Sequence, residues 1–484
     1  MTLIVSKEEA KFKADAVTPI FAEIAYQQPS ILFKNFSDKK GSMLIISADY
    51  FLEAYGTNHY SYILVDPFYV YTFNQSVSVS YKRDPLNELV QLVKQYPLTS
   101  IEKLPPFQGG IAGHLSYDLA YLYHPIIPPQ INDLNFPEVY MGFYDLICAF
   151  DHTNGKAYLF SSGFPEIESK KRQARAKKRL LWLRDCLTQS KVIHSEDQKT
   201  DNNISITSNF TKEEYLATVE KTIEYIGEGD IFEANLSQRF QAYLQKGYDY
   251  YALFKRVSAI NPSPFSAYLN LGEHKILSSS PERFLKLQDQ IVETRPIKGT
   301  RARVKDKRKD ENNVRDLLSS EKDFAENIMI VDLMRNDLSI VCEDDSVTVP
   351  QLCGHEVYST VHHLVSVILG KLRHDETAFT LLRATFPGGS ITGAPKVRAM
   401  QIIAELEPHY RGPYCGSIAL IGFDGNMDSS IVIRTYVAKD NFITFHAGGA
   451  VVIDSSPLEE YEETLSKSQA LRIALQGDLS DFAN

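Results

Sequence analysis

Apolar residues along this chain change period from one stretch to the next, and the period predicts the element. Between Lys212 and Gly227, Tyr215, Val219, Ile223 and Ile226 recur every three or four positions, the stripe of an amphipathic helix. Val397, Met400, Ile403 and Leu406 predict a second helix that stops before Pro408. The N-terminal part instead carries short Tyr- and Phe-rich stretches between turn residues, such as Ser61-Tyr-Ile-Leu-Val and Tyr69-Val-Tyr-Thr-Phe, which predict strands. Ser417 to Gly449 reads as a meander of three strands, with turns at Asp424-Gly425-Asn426 and Lys439-Asp440-Asn441. In its middle strand Ile431, Ile433 and Thr435 share one face and set Arg434 on the other. The mixture predicts an α+β fold with largely antiparallel sheets and helices packed on them.

A polar stretch from His194 to Asn203 has no apolar period and divides the chain into a region 1–190, a linker 191–206 and a region 207–484. Just before it, Lys170 to Cys186 is a basic helix-like segment whose charges suit a solvated face. The 484 residues are ample for a large core, and a formal net charge of -10 disfavours a nucleic-acid surface. Any anionic ligand must then be met by local positive charge. No apolar run is long enough for a bilayer, and Met1-Thr-Leu-Ile-Val-Ser-Lys-Glu-Glu turns acidic too early for a signal peptide. Five scattered cysteines without CxxC spacing fit reduced thiols, so a cytoplasmic protein is expected, without zinc or disulfides.

Several segments carry candidate chemistry. In Phe386-Pro-Gly-Gly-Ser-Ile-Thr-Gly-Ala-Pro-Lys396 three glycines permit close backbone approach, and Pro395 suits the first turn of the helix that follows. The amides of a helix start attract anions, yet the spacing is not that of a nucleotide loop, so a binding loop and a plain turn both stay open. Glu460, Glu463 and Lys467 stand at i, i+3 and i+7 and share one face if helical. Two convergent carboxylates call for a cation such as Mg²⁺, although an exposed acidic helix has the same spacing. A third carboxylate, Glu326, lies in an apolar segment from Asp323 to Asp337, where a lone buried charge is costly. Glu282 in Ser-Pro-Glu-Arg-Phe and Lys298 in Arg-Pro-Ile-Lys-Gly-Thr read as a strand-end pair. Lys298, in a conformationally fixed segment, suits an amine nucleophile, an anion ligand or a turn lysine. His363 falls within an apolar run and reads alone as a core histidine.

These segments, in this order, resemble the chorismate-utilising enzymes: anthranilate, aminodeoxychorismate, isochorismate and salicylate synthases. The matching stretches are GDIFEANLSQRF (Gly229 to Phe240), SPERFL, RPIKGTR, AENIMIVDLMRNDL, VHHLVS, FPGGSITGAPKVRAM, GNMDSSIVIRT, and AGGAVV followed by EEYEET. Pro106 to Asp118 resembles the N-terminal half of the same proteins. The resemblance implies two large, mainly antiparallel sheets packed as a sandwich with helices outside, both sequence halves contributing. It implies Mg²⁺ on Glu326, Glu460 and Glu463, and substrate contacts from Arg434, Lys467, Ser390, Gly448 and Gly449. Catalytic roles fall to Lys298, Glu282 and His363, the last near the ring's leaving oxygen.

Within that family, isochorismate-type enzymes place a lysine base where this chain has Glu233, and anthranilate synthases carry alanine at Lys298. A lysine there, with Asn235 in place of a usual valine, resembles the aminodeoxychorismate branch. The resemblance then implies that the Lys298 amine, with its pKa depressed, attacks C2 of chorismate while Glu282 protonates the departing C4 hydroxyl, and that ammonia displaces the lysine. No GxCxG segment of a glutamine amidotransferase is present, so a separate glutaminase subunit is the expected ammonia source. Anthranilate synthesis, a subunit serving both pathways, and a decayed homologue acting as a binding partner are the alternatives. Three departures stand out: Glu233 where glutamine is usual, Ala450 for a glycine, and Leu420 for a tyrosine expected to touch the substrate. Relatives bind tryptophan in the N-terminal half; Pro29-Ser-Ile-Leu32 resembles one edge of that pocket, but Phe33-Lys34 breaks the pattern.

Overall fold

The computed structural model describes residues 16–46, 60–75, 83–188, 204–358 and 361–476. Two antiparallel sheets, of twelve and ten strands among these residues, pack face to face with helices on both outer sides. The chain is therefore the α+β sandwich that the residue pattern and the resemblance imply. Between the sheets lies an apolar layer that includes Tyr62, Leu64, Ala112, Tyr144, Ile147, Ile418 and Val437. Outside the ten-stranded sheet, Ile330, Met334 and Leu338 of the Glu321–Ser339 helix share a core with Phe284, Leu285 and Ile368. Outside the twelve-stranded sheet, Leu183 of Ser169–Thr188 and Leu471 of Pro457–Gln476 do the same against Phe150, Tyr436 and Phe445.

Both sequence halves enter both sheets. Strand Phe265–Asn270 pairs with Met43–Ile46, and Ser417–Gly422 pairs with Gly110–Leu115. The proposed linker lies largely outside the described residues; Ile204, at its described end, is buried. The predicted helix at Lys212 is present as Lys212–Gly227. It is opened by Thr211, whose hydroxyl accepts from the Glu214 amide while the Glu214 carboxylate accepts from the Thr211 amide. Among the described residues no helix is long and apolar enough to cross a membrane.

The meander differs from its prediction. Residues 417–451 form four strands: Ser417–Gly422 and Met427–Ile431 belong to the ten-stranded sheet, Thr435–Lys439 and Phe442–Val451 to the twelve-stranded one. The chain crosses between sheets at Val432–Arg434, and Arg434 takes a left-handed backbone conformation, φ 53°. Both sides of the crossing are buried, so apolar residues run through it without a turn signal and mimic one continuous strand. Pro395 also differs. It caps the Lys396–Leu406 helix from outside instead of occupying its first turn.

Candidate active site

Lys298 is the second residue of strand Ile297–Ala302. Pairing with Val361–Lys371 is broken between Lys298 and Thr300, where Gly299 adopts φ 78°, a bulge that re-aims the lysine. Its Nζ donates to Glu233 Oε1 at 2.9 Å and lies 3.6 Å from Glu326 Oε2. Lys298 is 10% exposed and Glu233 not at all. Glu233 Oε1 also accepts from Asn235 Nδ2 at 3.1 Å, while Oε2 is buried without a hydrogen-bond partner. The expected depression of the Lys298 pKa is overturned. Burial works against its charge, but Glu233 and Glu326, aided by Glu282, outweigh that and raise its pKa.

Glu282 is buried just before strand Arg283–Gln288, its own carbonyl accepting from the Ile431 amide at 3.1 Å. Ser390 Oγ donates to Glu282 Oε1 at 2.7 Å, which brings the glycine-rich loop to the same place. Burial lifts the Glu282 carboxyl to about 7 against the pull of Ser390 and Lys298. Such a group holds a proton near neutrality and can give it up. His363 is buried, with Nδ1 2.9 Å from Thr300 Oγ1, and burial lowers its pKa to about 4, so it is a neutral imidazole near pH 7.

The loop glycines have packing reasons. A Cβ at Gly388 would lie 2.8 Å from Ile431 Cδ1, at Gly389 2.7 Å from Leu333 Cδ2, and at Gly393 2.1 Å from the Glu233 carbonyl oxygen. Close approach to neighbouring protein atoms accounts for them. Lys396 at the helix start closes on the Asp337 carboxylate and the Thr385 carbonyl, so its charge is neutralised inside the fold.

The Pro457–Gln476 helix carries Glu460, Glu463 and Lys467. Lys467 pairs with Glu463 and donates to the Gly448 carbonyl at 3.0 Å, and Arg434 donates to the Lys467 carbonyl. Glu460 Oε1 accepts from Ser455 Oγ at 2.7 Å, but Oε2 is buried with no hydrogen-bond partner. The helix packs against strand Phe442–Val451, where Gly449 leaves the room: a Cβ there would stand 2.8 Å from Glu460 Oε2 and 3.4 Å from Glu463 Oε1. Burial raises the Glu460 and Glu326 carboxyls, whereas Lys467 outweighs burial and lowers Glu463.

Glu326, Glu460 and Glu463, expected to share one ion, are bridged in this structure by lysines. Among the described residues no group of three or more histidine, cysteine, aspartate or glutamate side chains converges closely enough to hold a metal. Glu326 meets Glu460 through Lys322, whose Nζ is 3.9 Å from each. Facing carboxylates repel, and a lysine ammonium between them relieves that. The donor set still fits a hard divalent cation. All three ligands offer oxygen, one buried carboxylate oxygen is unpartnered, and a glycine makes space beside it. With Glu282 holding a proton, four carboxylates (Glu233, Glu326, Glu460, Glu463) already offset four cations (Lys298, Lys322, Lys467, Arg434), so a dianion needs added positive charge.

Leu420 is elsewhere. With Ile418 it faces the inter-sheet layer and lines a cavity of about 380 Å³, together with Tyr62, Phe107 and Phe265. None of the residues around Lys298 lines that cavity, so the missing tyrosine alters it and not the carboxylate cluster. Residues not among the expected site set are Lys322 and the buried pair Arg411–Glu407. That pair holds the Asn235 carbonyl at 2.6 Å and the Ser237 amide at 2.8 Å, and so steadies the strand that presents Glu233. Lys322 is visible in sequence only as one turn before Glu326.

The chain is similar to known proteins over most of its length. Residues 48–472 match the model of a family described as chorismate binding enzyme. Anthranilate synthase component 1 of Aquifex aeolicus (strain VF5) is 35% identical over 493 residues, 98% of each chain. Aminodeoxychorismate synthase component 1 of Escherichia coli (strain K12) is 40% identical over 402 residues, 81% of this chain and 83% of that protein. The crystal structure of anthranilate synthase component I from Streptococcus pneumoniae TIGR4 superposes with a TM-score of 0.75 at 31% identity, covering 85% of this chain and 91% of that one.

Proposed function

The chain belongs to the chorismate binding enzyme family, and from that premise we propose that it aminates chorismate, replacing the C4 hydroxyl with ammonia to give 4-amino-4-deoxychorismate. The observation that carries this reading is Lys298, an amine 10% exposed and held among three carboxylates, where the anthranilate branch is expected to have alanine. A methyl group could not attack a ring; an amine can.

Chorismate is a dianion, and Arg434, Lys467 and the loop bearing Ser390 are the groups proposed to hold it. Bound Mg²⁺, held by Glu326, Glu460 and Glu463, would add the positive charge that one ring carboxylate requires. Lys298 first gives a proton to Glu233, the carboxylate nearest its Nζ. The freed amine forms a bond to C2, both ring double bonds shift one place (C1=C2 to C1=C6, C5=C6 to C4=C5), and the C4–O bond breaks. Glu282 protonates the leaving oxygen, which departs as water. Ammonia then bonds to C4, both double bonds return, the C2–N bond to Lys298 breaks, and Glu233 gives its proton back to the released amine. The surplus proton of ammonia restores Glu282. His363, neutral and buried beside Thr300, serves as a fixed hydrogen-bonding group near the leaving oxygen. A separate glutaminase subunit supplies the ammonia.

Anthranilate synthesis is the second reading, favoured by the 35% identity over 98% of the Aquifex aeolicus protein. It needs no nucleophile at residue 298. Trapping therefore tests the choice. Intact-mass analysis of wild type quenched with chorismate and Mg²⁺, ammonia withheld, should show a covalent adduct lost in Lys298→Ala. Turnover of Lys298→Ala at the wild-type rate, with no adduct in either protein, would refute the covalent route.

A further inference from the structure

We propose that Lys322 is a built-in counter-cation of the acidic site, which a divalent ion must displace in order to bind. The inference rests on the reading of Glu326, Glu460 and Glu463 as the carboxylates that hold metal.

Lys322 stands in the first turn of the Glu321–Ser339 helix, four residues before Glu326. Its Nζ lies 3.9 Å from Glu326 Oε1 and 3.9 Å from Glu460 Oε1, so one ammonium spans two helices that otherwise face each other with like charge. Its charge also acts on Glu463, and thus on every carboxylate of the set. The three groups differ in freedom. Lys322 is 53% exposed on a long flexible stem, whereas the Glu326 and Glu460 side chains are 11% and 4% exposed. Lysine can swing into water at little cost; the carboxylates cannot. Neither contact is as short as a hydrogen bond, and Glu460 Oε2 remains buried and unpartnered. The ammonium thus balances charge without filling the acceptor capacity. A divalent cation carries twice the charge and binds carboxylate oxygens directly, so it wins the place, though at reduced net gain because lysine was there first.

The test is Mn²⁺ binding to the full chain without chorismate, followed by the paramagnetic resonance of the free ion. Lys322→Gln should bind Mn²⁺ about tenfold more tightly than wild type, as loss of one nearby positive charge predicts. Lys322→Arg, which keeps the charge, should stay within about threefold. Metal-free Lys322→Gln should melt below wild type, and saturating Mn²⁺ should remove that deficit. A second measurement needs no variant. Acetylation of Lys322 in wild type, followed by peptide mass spectrometry, should accelerate when Mn²⁺ saturates the site. Equal or weaker affinity in Lys322→Gln, or acetylation that Mn²⁺ leaves unchanged or slows, overturns the inference while the carboxylates keep their role. No saturable Mn²⁺ binding to any form overturns both. Neither result depends on which product is made from chorismate.

Discussion

Replacing Glu282 by glutamine should stabilise the protein and cripple it together. The folded carboxyl titrates at about 7 against an ordinary 4.5, chiefly because it is buried. Between those values the native state binds more protons than the unfolded chain, so stability falls as pH rises through the window. A gap from 4.5 to about 7, at about 1.4 kcal/mol per pH unit, amounts to about 3 kcal/mol by pH 8. Glutamine is neutral at every pH and still offers an oxygen to the Ser390 hydroxyl, so Glu282→Gln escapes the cost. Urea midpoints at pH 5 and pH 8 read this directly. The variant should exceed wild type by about 2–3 kcal/mol at pH 8, and the difference should shrink below about 1 kcal/mol at pH 5. Turnover should fall by about 10²–10⁴, the usual worth of a general acid. A variant no more stable than wild type at pH 8, or a difference that does not narrow at pH 5, refutes the reasoning about burial.

Further outcomes follow from the same geometry. Lys298→Ala should lower kcat with ammonium by at least about a hundredfold, and a near-normal kcat would remove the amine from the chemistry. Because Glu282 acts in its protonated form, kcat should decline as pH rises above about 7, and a profile flat from about pH 6 to 9 would contradict that role. Gly449→Ala puts a methyl 2.8 Å from Glu460 Oε2, so the Mg²⁺ concentration for half-maximal activity should rise at least about tenfold; an unchanged requirement would argue against these carboxylates as its ligands.

Sequence alone revealed what depends on local spacing. The Lys212–Gly227 helix shows itself by its stripe, Tyr215, Val219, Ile223 and Ile226, which lies within one element. The shared face of Glu460, Glu463 and Lys467 follows from helical geometry once the helix is granted. What escaped is what depends on distant partners or on burial from two sides. Glu233 meets Lys298 across 65 positions, and that contact reverses the expected direction of the lysine's pKa. The crossing at Val432–Arg434 contains no glycine, proline or other turn residue, so nothing in it announces a change of sheet. Strand parity assigns Leu420 a face but not the cavity which that face lines. Lys322 is legible as a neighbour of Glu326, while Glu460, its other partner, lies 138 positions on.

The account turns on the product. Incubation of the purified chain with chorismate, ammonium and Mg²⁺, followed by chromatography, mass spectrometry and fluorescence, reads it directly. Amination at C4 predicts a non-fluorescent product that retains the three-carbon enolpyruvyl ether. A fluorescent aromatic amine that has lost that ether would contradict the account.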